Sequence, residues 1–288
     1  MDRLRLRIQL LMTLLANAYF GFLSTGTIYL GRLKGICFPG LNCYSCPAAL
    51  WACPLGSLQG FASEIRVYGL SRPGFYVLGT LLLYGLLLGR FVCGWLCPFG
   101  LFQELLWRLP GRKFILPRAL AYGKYLTLIF FVFILPALVV DRFGYGQVWF
   151  CKYICPAGTI EAGIPHVLWK SEIRQMIGLL FLNKFVIAVI ITVGAIFFFR
   201  PFCRTLCPLG AIYGLIQRYG LVRLRWQKKD CLSCNLCQQI CPLGLKIPEE
   251  LDSPECIRCL RCLSACPTKT IYLEGPFIHP KAPVQPKR

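Results

Sequence analysis

The sequence repeats the pattern Cys-Pro-x-Gly four times, each time at the end of a hydrophobic passage. The copies begin at Cys53, Cys97, Cys155 and Cys207. In three of them a second cysteine lies four residues earlier, at Cys93, Cys151 and Cys203. Residues four apart share one face of a helix, and a proline suits the first position of a new helix. Each copy therefore predicts a helix start whose free amides and positive dipole end point at thiolates, which favours an anionic metal cluster.

The hydrophobic passages predict a membrane protein. Of the 288 residues, 56% are hydrophobic, and an apolar run of about 18 residues or more is a candidate transmembrane helix. Four runs qualify, at roughly residues 8–31, 74–92, 119–140 and 185–200. Lysine and arginine gather at the N-terminus and after the fourth run, which favours both termini inside the cell. We therefore expect a multi-pass protein of the cytoplasmic membrane, surrounded by lipid.

The order of runs and Cys-Pro copies indicates an internal repeat followed by a separate C-terminal domain. The predicted domains are membrane half 1 at 1–112, membrane half 2 at 113–220, a ferredoxin domain at 221–274 and a disordered tail at 275–288. The expected fold class is an α-helical membrane protein, with four transmembrane helices in two pseudo-repeats and short helices that start at Cys-Pro. A small α+β domain of the bacterial 2[4Fe–4S] ferredoxin type follows.

The C-terminal region contains two complete bacterial ferredoxin signatures, in which the fourth cysteine of each run binds the other cluster. One [4Fe–4S] cluster is therefore expected on Cys231, Cys234, Cys237 and Cys266. The other is expected on Cys241, Cys256, Cys259 and Cys262. Zinc motifs rarely place three cysteines at such consecutive spacings before Cys-Pro. Alternating residues at 222–226 and 270–273 predict two short strands that close this domain.

A further cluster is expected at the inner ends of the second and fourth runs. The cysteines there are Cys93, Cys97, Cys203 and Cys207. Neither CxxxC pair can complete a cluster alone, whereas the two pairs together supply four thiolates. Buried free thiols or a single zinc ion are the alternatives.

The outer cysteines allow several arrangements. Symmetry favours a cluster on Cys53, Cys151, Cys155 and either Cys46 or Cys43, with Cys37 unassigned. A second assignment places one cluster on Cys37, Cys43, Cys46 and Cys53, and leaves Cys151 and Cys155 as a redox pair. Disulfides are a third, because an oxidising outer face permits them. With a bilayer core of about 30 Å, the sequence leaves a wide gap between the inner and outer clusters.

The CxxxCP pairs at Cys93/Cys97 and Cys203/Cys207, together with the double ferredoxin signature, resemble the NapH family of membrane quinol dehydrogenase subunits. The polyferredoxin part of NosR-type regulators is similar. The resemblance covers roughly residues 75–270. It implies electron transfer between the quinone pool or cytoplasmic donors and partner redox proteins. The outer cysteines depart from the family pattern and suggest that electrons reach the outer face.

Other residues exclude some functions. Two histidines, His166 and His279, cannot supply stacked pairs of haem ligands. Glu104 and Glu161 follow Cys-Pro helices and are interpreted as helix surface charges, with proton transfer to a quinone as the alternative. The net charge of +20 is explained by membrane topology and anionic lipid, so no nucleic acid partner is expected. A basic inner face would also attract an acidic ferredoxin or flavoprotein.

The sequence thus predicts an electron-transfer subunit of an oxidoreductase complex, in which no residue is singled out as catalytic. Up to four [4Fe–4S] clusters in series would relay electrons between a cytoplasmic donor and the quinone pool or an outer-face redox protein. Other redox subunits are the expected partners, and a quinone is a further candidate ligand. The alternative hypothesis is a redox-sensing assembly or anchoring factor for another metalloenzyme.

Overall fold

The computed structural model describes residues 2–68, 72–140 and 146–276. Most of these residues are helical. The predicted disordered tail beyond residue 276, which includes His279, lies outside the described residues.

Short helices alternate with loops in the first half. Its α-helices are Asp2–Ala16, Phe22–Thr25, Pro54–Tyr68, Arg72–Leu87, Phe91–Trp95 and Pro98–Trp107, with a 3-10 turn at Arg32–Gly35. Helices start directly after Cys53 and Cys97, as the Cys-Pro pattern predicts. The Cys97 side chain caps its own helix by accepting a hydrogen bond from the Gly100 amide.

Two long helical stretches dominate the second half. The first runs from Arg118 to Leu138 through 3-10, α and π turns. The α-helices that follow are Ile164–Trp169, Ser171–Gln175, Leu179–Phe197, Pro201–Thr205 and Pro208–Ile216, with π turns at Phe150–Ile154 and Gly158–Gly163 and a 3-10 turn at Gln217–Tyr219. The helix after Cys207 again begins at the proline.

Among the described residues, two helices are long and apolar enough to cross a membrane, Arg118–Leu138 and Leu179–Phe197. The apolar helix Pro73–Leu87 is shorter. The first predicted run, 8–31, does not form one helix, because its helix ends at Ala16 and an irregular segment follows. The helix Asp2–Ala16 places polar side chains in the protein interior, since Arg5 and Gln9 are buried. The four-helix membrane arrangement therefore stays a prediction.

The two halves interlock through their Cys-Pro helices. Helix Pro98–Trp107 of the first half packs against Leu179–Phe197 of the second. Helix Pro54–Tyr68 packs against Leu135–Leu138 and the π turns before it. Residues beside the inner cysteines of opposite halves therefore meet in the core, where Phe99 and Phe202 contact edge to face with ring centroids 5.3 Å apart.

The C-terminal segment contains the only sheet found in the described residues. Strands Arg223–Trp226 and Ile271–Glu274 pair antiparallel, with Arg223 opposite Glu274. The two predicted strands are thus confirmed within one residue at each end. Two short helices, Leu236–Gln239 and Arg261–Ala265, lie between them. This segment contacts the first half directly, because the Trp95 indole donates a hydrogen bond to the Arg258 carbonyl at 3.0 Å.

Candidate metal centres

The structure brings the four predicted inner cysteines together. The inner tetrad consists of Cys93, Cys97, Cys203 and Cys207, which are all buried. Each thiol lies within electrostatic range of the other three. The sulfur of Cys97 accepts hydrogen bonds from the amides of Gly100 and Leu41, each at 3.4 Å. The halves thus contribute two thiols each to one enclosed site.

Two arginines lie on either side of the inner tetrad. The sequence alone did not single them out as site residues. Arg90 and Arg200 each lie three residues before the first cysteine of an inner pair, and both are fully buried. Each reaches into the other half: Arg90 Nη2 donates to the Cys203 carbonyl at 3.5 Å, and Arg200 Nη1 donates to the Cys93 carbonyl. The shared spacing Arg-x-x-Cys-x-x-x-Cys-Pro was the signal available in the sequence.

The position of Arg200 explains the glycine in the copy that begins at Cys97. A Cβ on Gly100 would lie 2.8 Å from Nη1 of Arg200, closer than real side-chain contacts allow. Glycine at this place in Cys-Pro-x-Gly therefore leaves room for the guanidinium of the opposite half.

Glu104 was interpreted as a surface charge, and the structure corrects this. Its carboxylate is 4% exposed. It pairs with Arg200 at 2.8 Å and with Arg5 at 2.9 Å. The triad buries two guanidiniums with one carboxylate, and the excess positive charge lies beside the thiols. An anionic cluster on the inner tetrad would complement that charge.

The seventh residue of each first-half copy is a glutamine that holds a thiol of the second half. Gln103 Nε2 donates to the sulfur of Cys203 at 3.1 Å, and its Oε1 accepts the amide of the residue before that cysteine at 3.1 Å. Gln59 makes the same two hydrogen bonds at Cys151, at 3.2 and 2.8 Å. Hydrogen bonds to cluster sulfurs tune reduction potential, so both glutamines belong to the candidate sites.

The seventh residues of the second-half copies reach back to the first half. Glu161 Oε2 accepts the amide of Cys43 at 2.7 Å, and the Tyr213 hydroxyl donates to the Pro39 carbonyl at 2.9 Å. Glu161 is therefore not a helix surface charge either. Burial raises the pKa of its carboxyl to about 7, although the hydrogen bond from Cys43 opposes that shift. All four copies thus use this position to connect the halves.

The structure also gathers an outer set and distinguishes its members. The outer tetrad consists of Cys43, Cys53, Cys151 and Cys155, which line one cavity of about 1110 Å³. Cys155 lies within electrostatic range of Cys151 and Cys43, and Cys53 within range of Cys151 and Cys155.

Two outer cysteines do not line this cavity, although Cys46 lies within electrostatic range of Cys43. Cys46 does not line the cavity, and its sulfur is 3.7 Å from Asn17 Oδ1. Cys37 lines a different cavity of about 690 Å³, which it shares with Cys53. All 18 cysteines fall in the described residues and are free, so no disulfide occurs there. Of the two residues considered for the fourth outer position, the geometry favours Cys43.

The structure groups the ferredoxin cysteines as the two crossed sets would require, and their role as cluster ligands stays a prediction. Cys231, Cys234, Cys237 and Cys266 line a cavity of about 260 Å³. Cys256, Cys259, Cys262 and Cys241 lie within electrostatic range of one another. Burial opposes ionisation of Cys266, but hydrogen bonds from Thr270 and Thr268 lower the pKa of its thiol to about 7. A thiol that ionises near neutral pH is suited to bind iron.

Each set supplies four thiols, which is the number of ligands that a cubane cluster takes. A zinc ion needs each sulfur about 2.3 Å from one point. Within the described residues, no three His, Cys, Asp or Glu side chains converge closely enough to hold one metal ion. The outer tetrad and the first ferredoxin set instead surround open cavities. The chemistry of the donor sets fits cubane clusters held by four thiolates.

The candidate sites are neighbours, and the gap expected from the sequence is absent. The Trp95–Arg258 contact joins the inner tetrad to the second ferredoxin set. Cys53 of the outer tetrad lies within electrostatic range of Cys207 of the inner tetrad. The loop before Cys53 contacts the inner tetrad, since the Leu41 amide donates a hydrogen bond to the sulfur of Cys97.

Comparison with known proteins gives one family. The family described as "4Fe-4S binding domain" matches residues 51–73, 72–117, 125–166 and 181–229, more than half of the chain. Each matched segment contains one copy of Cys-Pro-x-Gly. No solved structure matches the chain.

Among similar proteins, an uncharacterized protein, MJ0750 of Methanocaldococcus jannaschii, is 33% identical over 63% of this chain and 70% of its own length. The putative electron transport protein YccM of Escherichia coli is 27% identical over 72% of this chain and 57% of its own. The regulatory protein NosR of Pseudomonas aeruginosa is 30% identical over 71% of this chain and 27% of its own. The chain thus spans only part of these relatives.

Proposed function

The chain belongs to the NapH/NosR-like family of iron–sulfur electron-transport proteins and carries [4Fe–4S] clusters, and from this premise we propose that it relays electrons through four such clusters in series. The observation that carries the proposal is the continuity of the four cysteine sets. The helices Leu236–Gln239 and Arg261–Ala265, which carry cysteines of the two ferredoxin sets, contact each other. The second set contacts the inner tetrad through Trp95 and Arg258, and Cys53 of the outer tetrad lies within electrostatic range of Cys207.

We propose one cluster for each set. The ligands would be Cys231, Cys234, Cys237 and Cys266, then Cys241, Cys256, Cys259 and Cys262, then the inner tetrad and the outer tetrad. Together they use sixteen of the 18 cysteines and leave Cys37 and Cys46 without a cluster.

The cytoplasmic end of the relay would be the first ferredoxin set. Cys234 is exposed, and the apolar side chains of Leu232 and Leu236 are exposed beside it. Lys246 lines the same cavity. An apolar patch with positive charge suits a transient contact with an acidic ferredoxin or flavoprotein.

The other end would be the outer cavity. At about 1110 Å³ it exceeds the usual 300–1,000 Å³ of small-molecule sites, so it has room for a ligand besides a cluster. Its lining is mostly apolar and includes Lys170 and His166. A quinone, or a residue of an outer-face redox protein, is the proposed electron partner there.

The proposed placement is the cytoplasmic membrane, with several spans and both termini inside. Membrane halves at 1–112 and 113–220 and a ferredoxin domain at 221–274 remain the proposed domains. The two candidate membrane helices support this placement, as does the basic N-terminal stub.

Iron and sulfide analysis of anaerobically purified protein, with EPR of the reduced state, tests the proposal. Four cubanes give about sixteen irons per chain. A content of about eight irons per chain, with only ferredoxin-type EPR signals, would show that the inner and outer tetrads bind no cluster. The four-cluster relay would then be wrong.

A regulatory role is the second candidate, because one relative is named a regulatory protein. In that case the clusters would sense redox state for another metalloenzyme. Reduction of all clusters by a low-potential donor within milliseconds supports the relay. Reduction over many minutes supports the sensor.

A further inference from the structure

We propose that residues 39–42 form the electron bridge between the inner and outer tetrads. The inference rests on the proposed function, since it assumes a cluster at each tetrad. It assigns a role to a segment without cysteines. The sequence gives no reason to connect this segment with the inner site.

A short, defined path runs through this bridge segment. The Leu41 amide donates a hydrogen bond to the sulfur of Cys97, an inner ligand, at 3.4 Å. The next residue, Asn42, accepts the amide of Cys53, an outer ligand, on its carbonyl at 2.9 Å. Two residues and two hydrogen bonds therefore connect the sulfur of one tetrad to the backbone of a cysteine in the other.

Buried contacts fix the bridge segment from both halves. Asn42 is fully buried and donates through Nδ2 to the Trp51 carbonyl at 2.8 Å. From the second half, Tyr213 donates to the Pro39 carbonyl at 2.9 Å. The Tyr213 side chain is fully buried and lies within electrostatic range of Cys93, Cys53 and Cys97. A segment fixed in this way keeps the separation of the two tetrads constant.

Gly40 permits the close approach. A Cβ at this position would lie 2.9 Å from the Cα of Cys97, a backbone atom that cannot move aside alone. Any larger residue would therefore push the bridge segment away from the inner tetrad. Gly35, in the same loop, has no atom within 4 Å of its Cβ position. The pair offers a matched test.

The step carried by the bridge is a one-electron transfer without bond making or proton movement. The cluster on the inner tetrad is oxidised by one electron, and the cluster on the outer tetrad is reduced by the same electron. The hydrogen bond from Leu41 also stabilises the more negative, reduced state at Cys97 and so raises the potential of the inner cluster. Displacing the segment should change both the rate and this potential.

The test uses Gly40→Ala with Gly35→Ala as its control, in inverted membrane vesicles that expose the cytoplasmic face. Dithionite is the one-electron reductant, and freeze-quench EPR follows each cluster. In Gly40→Ala the inner cluster should be reduced at the parent rate, while the outer cluster is reduced several-fold more slowly, because the displaced segment lengthens the path between the two tetrads. The inner potential should fall. Gly35→Ala should match the parent.

A second variant distinguishes an effect on the bridge segment from a general effect of misfolding. Tyr213→Phe keeps the buried ring but removes the hydroxyl that fixes Pro39, so it should slow the same step by a smaller factor at full iron content. Parent-like rates and potentials in Gly40→Ala, with about sixteen irons still bound, would overturn the bridge and leave the serial relay standing. A parent with only eight irons would instead overturn the proposed function itself.

Discussion

The inner and outer tetrads are built by the same device but differ in their surroundings. In both, a first-half glutamine holds a second-half sulfur, Gln103 at 3.1 Å and Gln59 at 3.2 Å. The inner tetrad is closed, with Arg90 and Arg200 on either side. At the outer tetrad, Lys184 donates to the Cys151 carbonyl at 3.2 Å, and the site opens into the large cavity.

The difference shows how a duplicated motif can serve two purposes. Two buried guanidiniums and a closed core insulate the inner site, which suits a relay. Lysine side chains and an open cavity leave the outer site accessible, which suits exchange with a partner. The repeated cysteines are common to both sites, so the side chains around each tetrad determine whether the site is closed or accessible.

The largest effect is expected from removing one ligand of each tetrad. Cys207→Ser should cost the inner cluster, about four irons, and stop transfer from the ferredoxin domain to the outer site. Cys155→Ser should cost the outer cluster but leave the inner one reducible from the cytoplasm. Iron content and EPR measure both.

Cys46→Ser is the control for these two variants, because Cys46 contacts Asn17 rather than the cavity. It should keep the full iron content. Loss of a cluster in Cys46→Ser, with full retention in Cys43→Ser, would reverse the choice of the fourth outer ligand.

The next effect compares two carboxylates, Glu104, which is buried, and Glu161, which is partly buried. Glu104→Gln leaves the fully buried guanidinium of Arg200 without its carboxylate partner, and removing one partner of a buried ion pair costs about 3–5 kcal/mol. Glu161→Gln keeps an acceptor for the Cys43 amide and gives the residue found in the first two copies. Thermal unfolding in detergent should show a large loss for the first and little change for the second; equal losses contradict the comparison.

A smaller, site-specific effect is expected from the glutamines. Gln103→Leu removes a donor from the inner tetrad and should lower the potential of that cluster alone. Gln59→Leu should do the same for the outer cluster. One hydrogen bond contributes about 1 kcal/mol, which corresponds to about 40 mV for one electron. EPR redox titration measures the shift, and a shift of both clusters in either variant counts against separate control.

The smallest effect concerns the glycines of the repeat. Gly56 has no neighbour within 4 Å of its Cβ position and lies in helix Pro54–Tyr68, so Gly56→Ala should stabilise the protein by about 0.5–1 kcal/mol. Gly100→Ala meets Arg200 at 2.8 Å and should destabilise it. Thermal unfolding of both variants measures the contrast. A Gly100→Ala variant as stable as the parent would show that the Arg200 side chain can move to make room for the added methyl group.

Local patterns in the sequence predicted the helix starts, the CxxxC pairs and the cysteine runs of the ferredoxin segment. A proline after cysteine fixes where a helix begins at Cys97 and Cys207, and this depends only on neighbouring residues. The cysteine spacing of each ferredoxin run is equally local. These features were therefore predictable without tertiary contacts.

Only the tertiary structure decided which residues from the two halves meet. It favoured Cys43 over Cys46, buried Glu104 between Arg5 and Arg200, and brought residues 39–42 against Cys97. It also ended the first helix at Ala16, where the sequence predicts a longer span. Each of these outcomes depends on side chains far apart in the chain that fill one core, and local periodicity carries no information about such contacts.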